Sequence, residues 1–91
     1  MGIVSHFLSR SSERYFRTRN LHLAVILLAQ GFSLVGLDRT DAQNHEFAFR
    51  KTFELEQTVE RFNDKLPIFV EARRLIYSWK ALREKMHNDH R

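Results

Sequence analysis

The chain has 91 residues, of which 43% are hydrophobic and 29% charged, with a formal net charge of +4 and no Cys. This length accommodates one domain with a modest core, and the composition is that of a globular protein rather than a disordered one. The lack of Cys excludes disulfides and thiolate metal sites and favours a reducing, cytoplasmic location. So short a chain has little room for an enzyme pocket and its scaffold, so a non-enzymatic binding role is expected.

Basic residues concentrate at the two ends of the chain. Residues 1–20 contain four Arg and one Glu, and residues 71–91 contain six Lys or Arg and three acidic residues. The middle of the chain is slightly acidic. Basic ends suit a phosphate backbone or an acidic protein surface, and they are equally typical of solvated helix faces that keep a protein soluble.

We divide the chain into three parts. Residues 1–16 contain the apolar stretch IVSHFL and are expected to form an N-terminal arm or a short helix. Residues 17–87 are expected to form one domain, and residues 88–91 a polar tail.

The stretch LHLAVILLAQGF, residues 21–32, is predicted to be a core helix. Its apolar run is too short to span a membrane, and His22 interrupts it. A secretion signal is disfavoured because its removal would take away the most apolar helix of the domain. Thr18 or Asn20 can cap the start of the helix, and Gly31 stands where a left-handed C-cap would lie.

Two strands are predicted after this helix. FSLVGLD alternates from Phe32, with Gly36 as a candidate bulge, and EFAFR places Phe47 and Phe49 on one face. The polar stretch between them predicts a hairpin loop. Residues 66–70 are a candidate third strand, because Pro67 disfavours helical geometry in the residue before it.

Two further helices are predicted, over residues 53–62 with Thr52 as N-cap and over residues 71–86. The fold class is therefore α+β, with a two-stranded or three-stranded antiparallel sheet packed against two or three helices. The predicted core consists of Leu21, Ala24, Val25, Leu28, Leu34, Phe47, Phe49, Leu55, Val59, Phe62, Leu75, Trp79 and Leu82.

The segments TRNLHLAVILLAQGFSLVGLD, HEFAFRKT and LPIFVEARRLIYSWKAL resemble DUF5659, a small bacterial and archaeal domain family of unknown function. The matching positions are Thr18, Leu21, Ala24, Leu27, Leu28, Gly31, Phe47 and Phe49. The resemblance covers about residues 17–85 and implies the same fold. It supplies no catalytic residue.

No cofactor, metal or catalytic site is predicted. His87 and His90 are closely spaced, but they lie near the end of the chain without the further converging ligands that a metal requires. Three Gly residues in the whole chain exclude the Gly-rich phosphate loops. His22 is interpreted as a partly exposed helix residue rather than a catalytic one.

Nucleic acid is the first candidate partner. The candidate phosphate contacts are Arg10, Arg14, Arg17, Arg19, Arg73, Arg74, Lys80 and Arg83. Phe47 and Phe49 could serve as a stacking platform for bases, but burial in the core is favoured because the sheet of so small a domain needs an apolar face.

The alternative is a protein–protein module, either a subunit or adaptor of a larger complex or a homo-oligomer. Aromatic and apolar residues near the N-terminus are the candidate interface, since such residues often anchor interfaces. They are Ile3, Val4, Phe7, Leu8, Tyr15 and Phe16.

Overall fold

The computed structural model describes residues 14–39 and 45–88. Within these ranges the chain forms three strands and three helices, which confirms the predicted α+β class. In chain order they are β1 (Tyr15–Thr18), α1 (Leu21–Ala29), β2 (Leu34–Arg39), β3 (His45–Arg50), α2 (Phe53–Asn63) and α3 (Ala72–Asn88).

Strand β3 lies at the centre of an antiparallel sheet with the order β1-β3-β2. Phe16 of β1 is paired with Phe49, and Leu37 of β2 with Phe47. The predicted hairpin of β2 and β3 is confirmed, and its register shifts between Leu34 and Gly36, where a bulge was expected.

The position predicted for the third strand is wrong. The third strand is β1, whereas residues 66–70 lie outside the sheet. Backbone carbonyls of this segment accept side-chain hydrogen bonds, from Arg61 Nε to Pro67 at 3.0 Å and from Gln30 Nε2 to Phe69 at 3.1 Å. Strand β1 occupies the second edge of β3, and these hydrogen bonds hold residues 66–70 to α2 and to the end of α1 instead.

Helix α1 begins and ends where the sequence predicts. Asn20 is the N-cap, and its side-chain oxygen accepts a hydrogen bond from the Leu23 amide at 3.0 Å. At the C-terminal end, Gly31 has a φ of +97°. The Gly31 amide donates to the Leu28 carbonyl and the Phe32 amide to the Leu27 carbonyl, which is the pair of bonds of a Schellman motif.

The core lies between α1, α3 and the inner face of the sheet. Of the predicted α1 stripe, Ala24 and Val25 are buried, whereas Leu21 and Leu28 are only partly buried. Leu23, Leu27 and Ala29 are also buried in α1. The helix is apolar on almost every side, so its sequence pattern does not distinguish the most buried residues.

The two C-terminal helices follow their predicted stripes. In α2, the Thr52 side chain accepts a hydrogen bond from the Leu55 amide at 3.1 Å, and Leu55 is fully buried. In α3, Leu82 is fully buried. The remaining predicted core residues on β2, α2 and α3 are partly buried against the same cluster: Leu34, Val59, Phe62, Leu75 and Trp79.

Phe47 and Phe49 of β3 are buried at 1% and 0% exposure. The core interpretation of these two rings is therefore confirmed, and a base-stacking platform on them is excluded. None of the helices within residues 14–39 and 45–88 has the length and apolar character needed to cross a membrane.

Candidate functional site

Helix α3 exposes two large apolar side chains on the side opposite its buried stripe. Ile76 is 53% exposed and Tyr77 is 66% exposed. The residues that pack inward are Leu75, Trp79 and Leu82. Ile76 and Tyr77 do not fit the spacing of that stripe, so the helix cannot bury them without rotating Leu82 out of the core.

Three basic residues lie on the same side of α3 as Ile76 and Tyr77. Arg73 and Lys80 are four residues before and three residues after Tyr77, and Arg83 is three residues after Lys80. Residues three or four apart are neighbours on a helix surface, and all five are exposed. We call this set the α3 outer surface, which consists of Arg73, Ile76, Tyr77, Lys80 and Arg83.

The α3 outer surface is electropositive. Helix α3 contains five Lys or Arg residues and one acidic residue, Glu84. None of the ion pairs among the described residues involves Arg73, Lys80 or Arg83. Glu84, four residues after Lys80, is the one acid of the helix, so α3 keeps a net positive charge that is available to an anionic partner.

A third large apolar side chain, Phe69, precedes α3 and is 84% exposed. Its backbone is held in place, because its carbonyl accepts the hydrogen bond from Gln30, whose side-chain oxygen accepts another from Thr58 Oγ1 at 3.0 Å. Phe69 lines an open depression of about 500 Å³ together with Gln30, Glu71 and Arg74. The ring is thus presented to solvent from an anchored segment.

The predicted basic residues near the N-terminus lie elsewhere. Arg10 is outside the described residues, and Arg14 and Arg19 are exposed on either side of β1. Arg17 lies on the outer face of the sheet, 3.7 Å from an Asp38 carboxylate oxygen and 3.8 Å from one of Glu46. Two acids therefore compensate the charge of Arg17.

The eight predicted basic residues do not form one surface. Arg17 is on the sheet face that points away from the core, because it is paired with Ala48 between the inward-facing positions of Phe47 and Phe49. Helix α3 packs on the opposite side, where Leu82 joins the core. Arg74 lies beside the α3 outer surface, 3.9 Å from Glu71 in an exposed ion pair.

The residues of the alternative protein interface are also divided. Ile3, Val4, Phe7 and Leu8 lie outside the described residues. Tyr15 is 37% exposed on the outer sheet face, whereas Phe16 is packed against the core. These two neighbours point to opposite faces of the sheet, as alternate residues of a strand do.

The histidines considered for catalysis or metal binding have a structural role or lie apart from one another. His22 is exposed and stacks on Trp79, with ring centroids 5.7 Å apart, so it connects α1 to α3. Within the described part of the chain, no three His, Asp or Glu side chains converge as metal ligands would. His87 is exposed near the end of α3, and His90 lies outside the described residues.

Sequence reasoning identified the basic residues of α3 but missed Phe69, Ile76 and Tyr77. A signal for two of them was present, since Ile76 and Tyr77 fall between the stripe positions of Leu75 and Trp79. An apolar residue off the stripe of an amphipathic helix is exposed unless another element covers it. Phe69 gave no such signal, because an extended segment has no helical periodicity.

Three comparisons with known proteins accompany this geometry. The model of a family described as a domain of unknown function, DUF5659, matches residues 13–87. The searches of curated proteins and of solved structures gave no match.

Proposed function

This chain belongs to the DUF5659 family, a domain of unknown function, and on that premise we propose that it is a small non-enzymatic module that binds nucleic acid. The α3 outer surface contacts the phosphates through Arg73, Lys80 and Arg83. The cytoplasm is the location that we propose for it, since a chain without Cys suits a reducing compartment.

The observation that supports this proposal is the concentration of net positive charge on one helix. Five basic residues and one acidic residue lie in α3, whereas Arg17, near the N-terminus, is paired with Asp38 and Glu46. Lys and Arg contacts to phosphate release condensed counterions, which favours binding whatever the base sequence. A module of this kind binds phosphate backbones without reading bases through hydrogen bonds.

The size of the effect follows from the number of contacts. With duplex DNA, each phosphate contact contributes about −0.9 to the slope of the logarithm of the binding constant against the logarithm of the salt concentration. Three contacts therefore give a slope of about −3. Binding is then weak at physiological salt, with a Kd on the order of 10⁻⁵ M, in the range of non-specific binding.

The test is a titration of fluorescently labelled oligonucleotides, followed by anisotropy over a range of salt concentrations. The double variant Lys80→Gln/Arg83→Gln removes two contacts. It is expected to reduce the slope by about 2 and to weaken binding roughly 50-fold at about 0.1 M salt. Both side chains are exposed, so the fold is expected to remain intact.

The matched control is Arg50→Gln/Lys65→Gln, which removes the same charge from two exposed residues outside α3. It is expected to change the affinity only slightly and to leave the slope unchanged. Equal losses in the two double variants would mean that net charge, and not the α3 outer surface, governs binding.

Glu84→Gln tests the same surface in the opposite direction. Glu84 is the one acid of α3 and lies four residues after Lys80, so its carboxylate repels an approaching phosphate. Its removal is expected to tighten binding by about twofold to fivefold at low salt, an effect that salt screens. Unchanged or weaker binding at low salt would argue against phosphates at this position.

A protein–protein module remains the second candidate, because Phe69, Ile76 and Tyr77 are exposed apolar side chains close to one another in the chain. Such residues are common anchors of interfaces. This candidate predicts a stoichiometric protein partner that stays bound after nuclease treatment and at high salt, whereas phosphate contacts are lost as salt rises.

A further inference from the structure

Two aromatic rings, those of Phe69 and Tyr77, are among the most exposed large side chains of the described residues. Both lie toward the N-terminal half of α3, Phe69 three residues before the helix begins and Tyr77 in its second turn. Both are accompanied by basic residues, with Arg74 beside Phe69 and with Arg73 and Lys80 beside Tyr77. Exposed rings flanked by cations are the combination that single-stranded nucleic acid requires.

We propose that the α3 outer surface, together with the adjoining Phe69 and Arg74, binds single-stranded nucleic acid, with bases stacked on Tyr77 and Phe69 and phosphates on the neighbouring basic residues. This proposal rests on the proposed function and adds the class of nucleic acid. A duplex keeps its bases stacked on one another, whereas a single strand offers their flat faces to an aromatic side chain. The rings have no role in contacts to a duplex backbone.

Arg74 is a neighbour of both rings. It lines the same depression as Phe69, and it lies three residues before Tyr77 on the helix surface. Its ion pair with Glu71 is 3.9 Å long, and both side chains are 64% exposed. Such a pair contributes little to stability, so Arg74 can exchange Glu71 for a phosphate between two stacked bases at little cost.

The hydrogen bonds that hold the backbone at and before Phe69 also favour binding. Gln30 holds the Phe69 carbonyl, and Arg61 holds the Pro67 carbonyl two residues before it. The backbone is therefore already fixed before a ligand arrives, and less conformational entropy is lost when a base stacks on the ring.

The charge of this surface distinguishes single-stranded nucleic acid from the other occupants. A second copy of the chain would bring the same cations against Arg73, Lys80 and Arg83, which is unfavourable. A neutral apolar partner would cover the rings but would offer these cations no anionic group to contact at the rim of the interface. A single strand supplies an anionic backbone and apolar faces together.

The experiment measures anisotropy with labelled single-stranded DNA, single-stranded RNA and duplex DNA of equal length. Tyr77→Ala and Phe69→Ala are each expected to weaken binding to single strands about fivefold or more, with an unchanged salt slope and unchanged duplex binding. Tyr77→Phe retains the ring and is expected to bind like the parent protein. Phe53→Ala is the matched control, because it removes a 69% exposed aromatic ring from α2, outside this surface, and is expected to leave binding unchanged.

Three results would overturn the inference in ways that can be told apart. If Lys80→Gln/Arg83→Gln weakens binding but Tyr77→Ala and Phe69→Ala do not, the proposed function stands and the stacking inference fails. If the parent protein binds no oligonucleotide at low salt, both fail. If sedimentation shows a dimer that Tyr77→Ala converts to a monomer, a second copy covers the rings, and the inference also fails.

Discussion

The orientation of α3 determines which of its faces is available for binding, and Leu82→Ala tests that orientation. Leu82 is fully buried and belongs to the core cluster that includes Phe47 and Phe49. Truncation to Ala removes three buried carbon atoms and leaves a cavity that the surrounding side chains fill only in part. We expect a loss of about 3 kcal/mol in the free energy of unfolding.

This loss is large for a domain of this size. If the parent domain is stable by on the order of 5 kcal/mol, the variant retains about 2 kcal/mol, and roughly 3% of its molecules are unfolded at 25 °C. The midpoint of thermal unfolding is expected to fall by roughly 10–20 °C. Circular dichroism measures this midpoint, and the fluorescence of the chain's single Trp, Trp79, follows the separation of α1 from α3.

The control is Ile76→Ala on the same helix. Ile76 is 53% exposed, so its truncation is expected to change stability by about 0.5 kcal/mol or less. If Ile76→Ala were as destabilising as Leu82→Ala, the face of α3 that carries Ile76 would be buried. The α3 outer surface would then not exist as described, and both proposals built on it would fail.

Substitutions at three further positions test the helix ends, with urea or thermal unfolding as the measurement. Gly31→Ala is expected to cost about 1 kcal/mol; a Cβ there meets nothing within 4 Å, so the loss would come from the positive φ alone, and an unchanged midpoint would refute that geometry. Lys65→Gly is expected to act in the opposite direction, by about 0.5 kcal/mol, because Lys65 has a φ of +61°. Thr52→Ala is expected to cost about 1 kcal/mol through loss of the cap on the Leu55 amide, whereas Thr52→Ser should retain most of it.

The amphipathic helices were predictable because their apolar residues recur at helical spacing. Leu55 with Val59, and Leu75 with Leu82, fall on one side of their helices, and the structure packs these sides against the core. Caps were predictable for a similar local reason. Asn20 and Thr52 carry the short side-chain oxygens that a helix start requires, and the following amides donate to them.

Strand pairing was not predictable to the same extent, because it depends on residues far apart in the chain. Tyr15–Thr18 has only four residues, too few for a clear alternation, yet it pairs with β3 about thirty residues later. Residues 66–70 have more extended character in the sequence but no partner strand. Local pattern shows which segments can be extended, and contacts between residues far apart in the chain decide which one is paired.

The candidate site likewise has features that the sequence predicts and features that it does not. Its charges were predicted from composition, because Arg73, Lys80 and Arg83 belong to a visibly basic segment. Its rings were not, because an aromatic residue is equally compatible with a core and with a surface until packing is known. Phe47 and Phe49 were candidates for stacking and are buried, whereas Phe69 was an ordinary residue of a connecting segment and is exposed.

The central position of β3 has a consequence for how the chain folds during synthesis. Strands β1 and β2 never pair with each other, and each depends on β3, which is the last of the three to leave the ribosome. A nascent chain that ends before residue 45 therefore cannot form the strand ladder. Sheet formation waits until about residue 50 has emerged, and β1 must then close a loop of about thirty residues, which slows folding relative to the local β2–β3 hairpin.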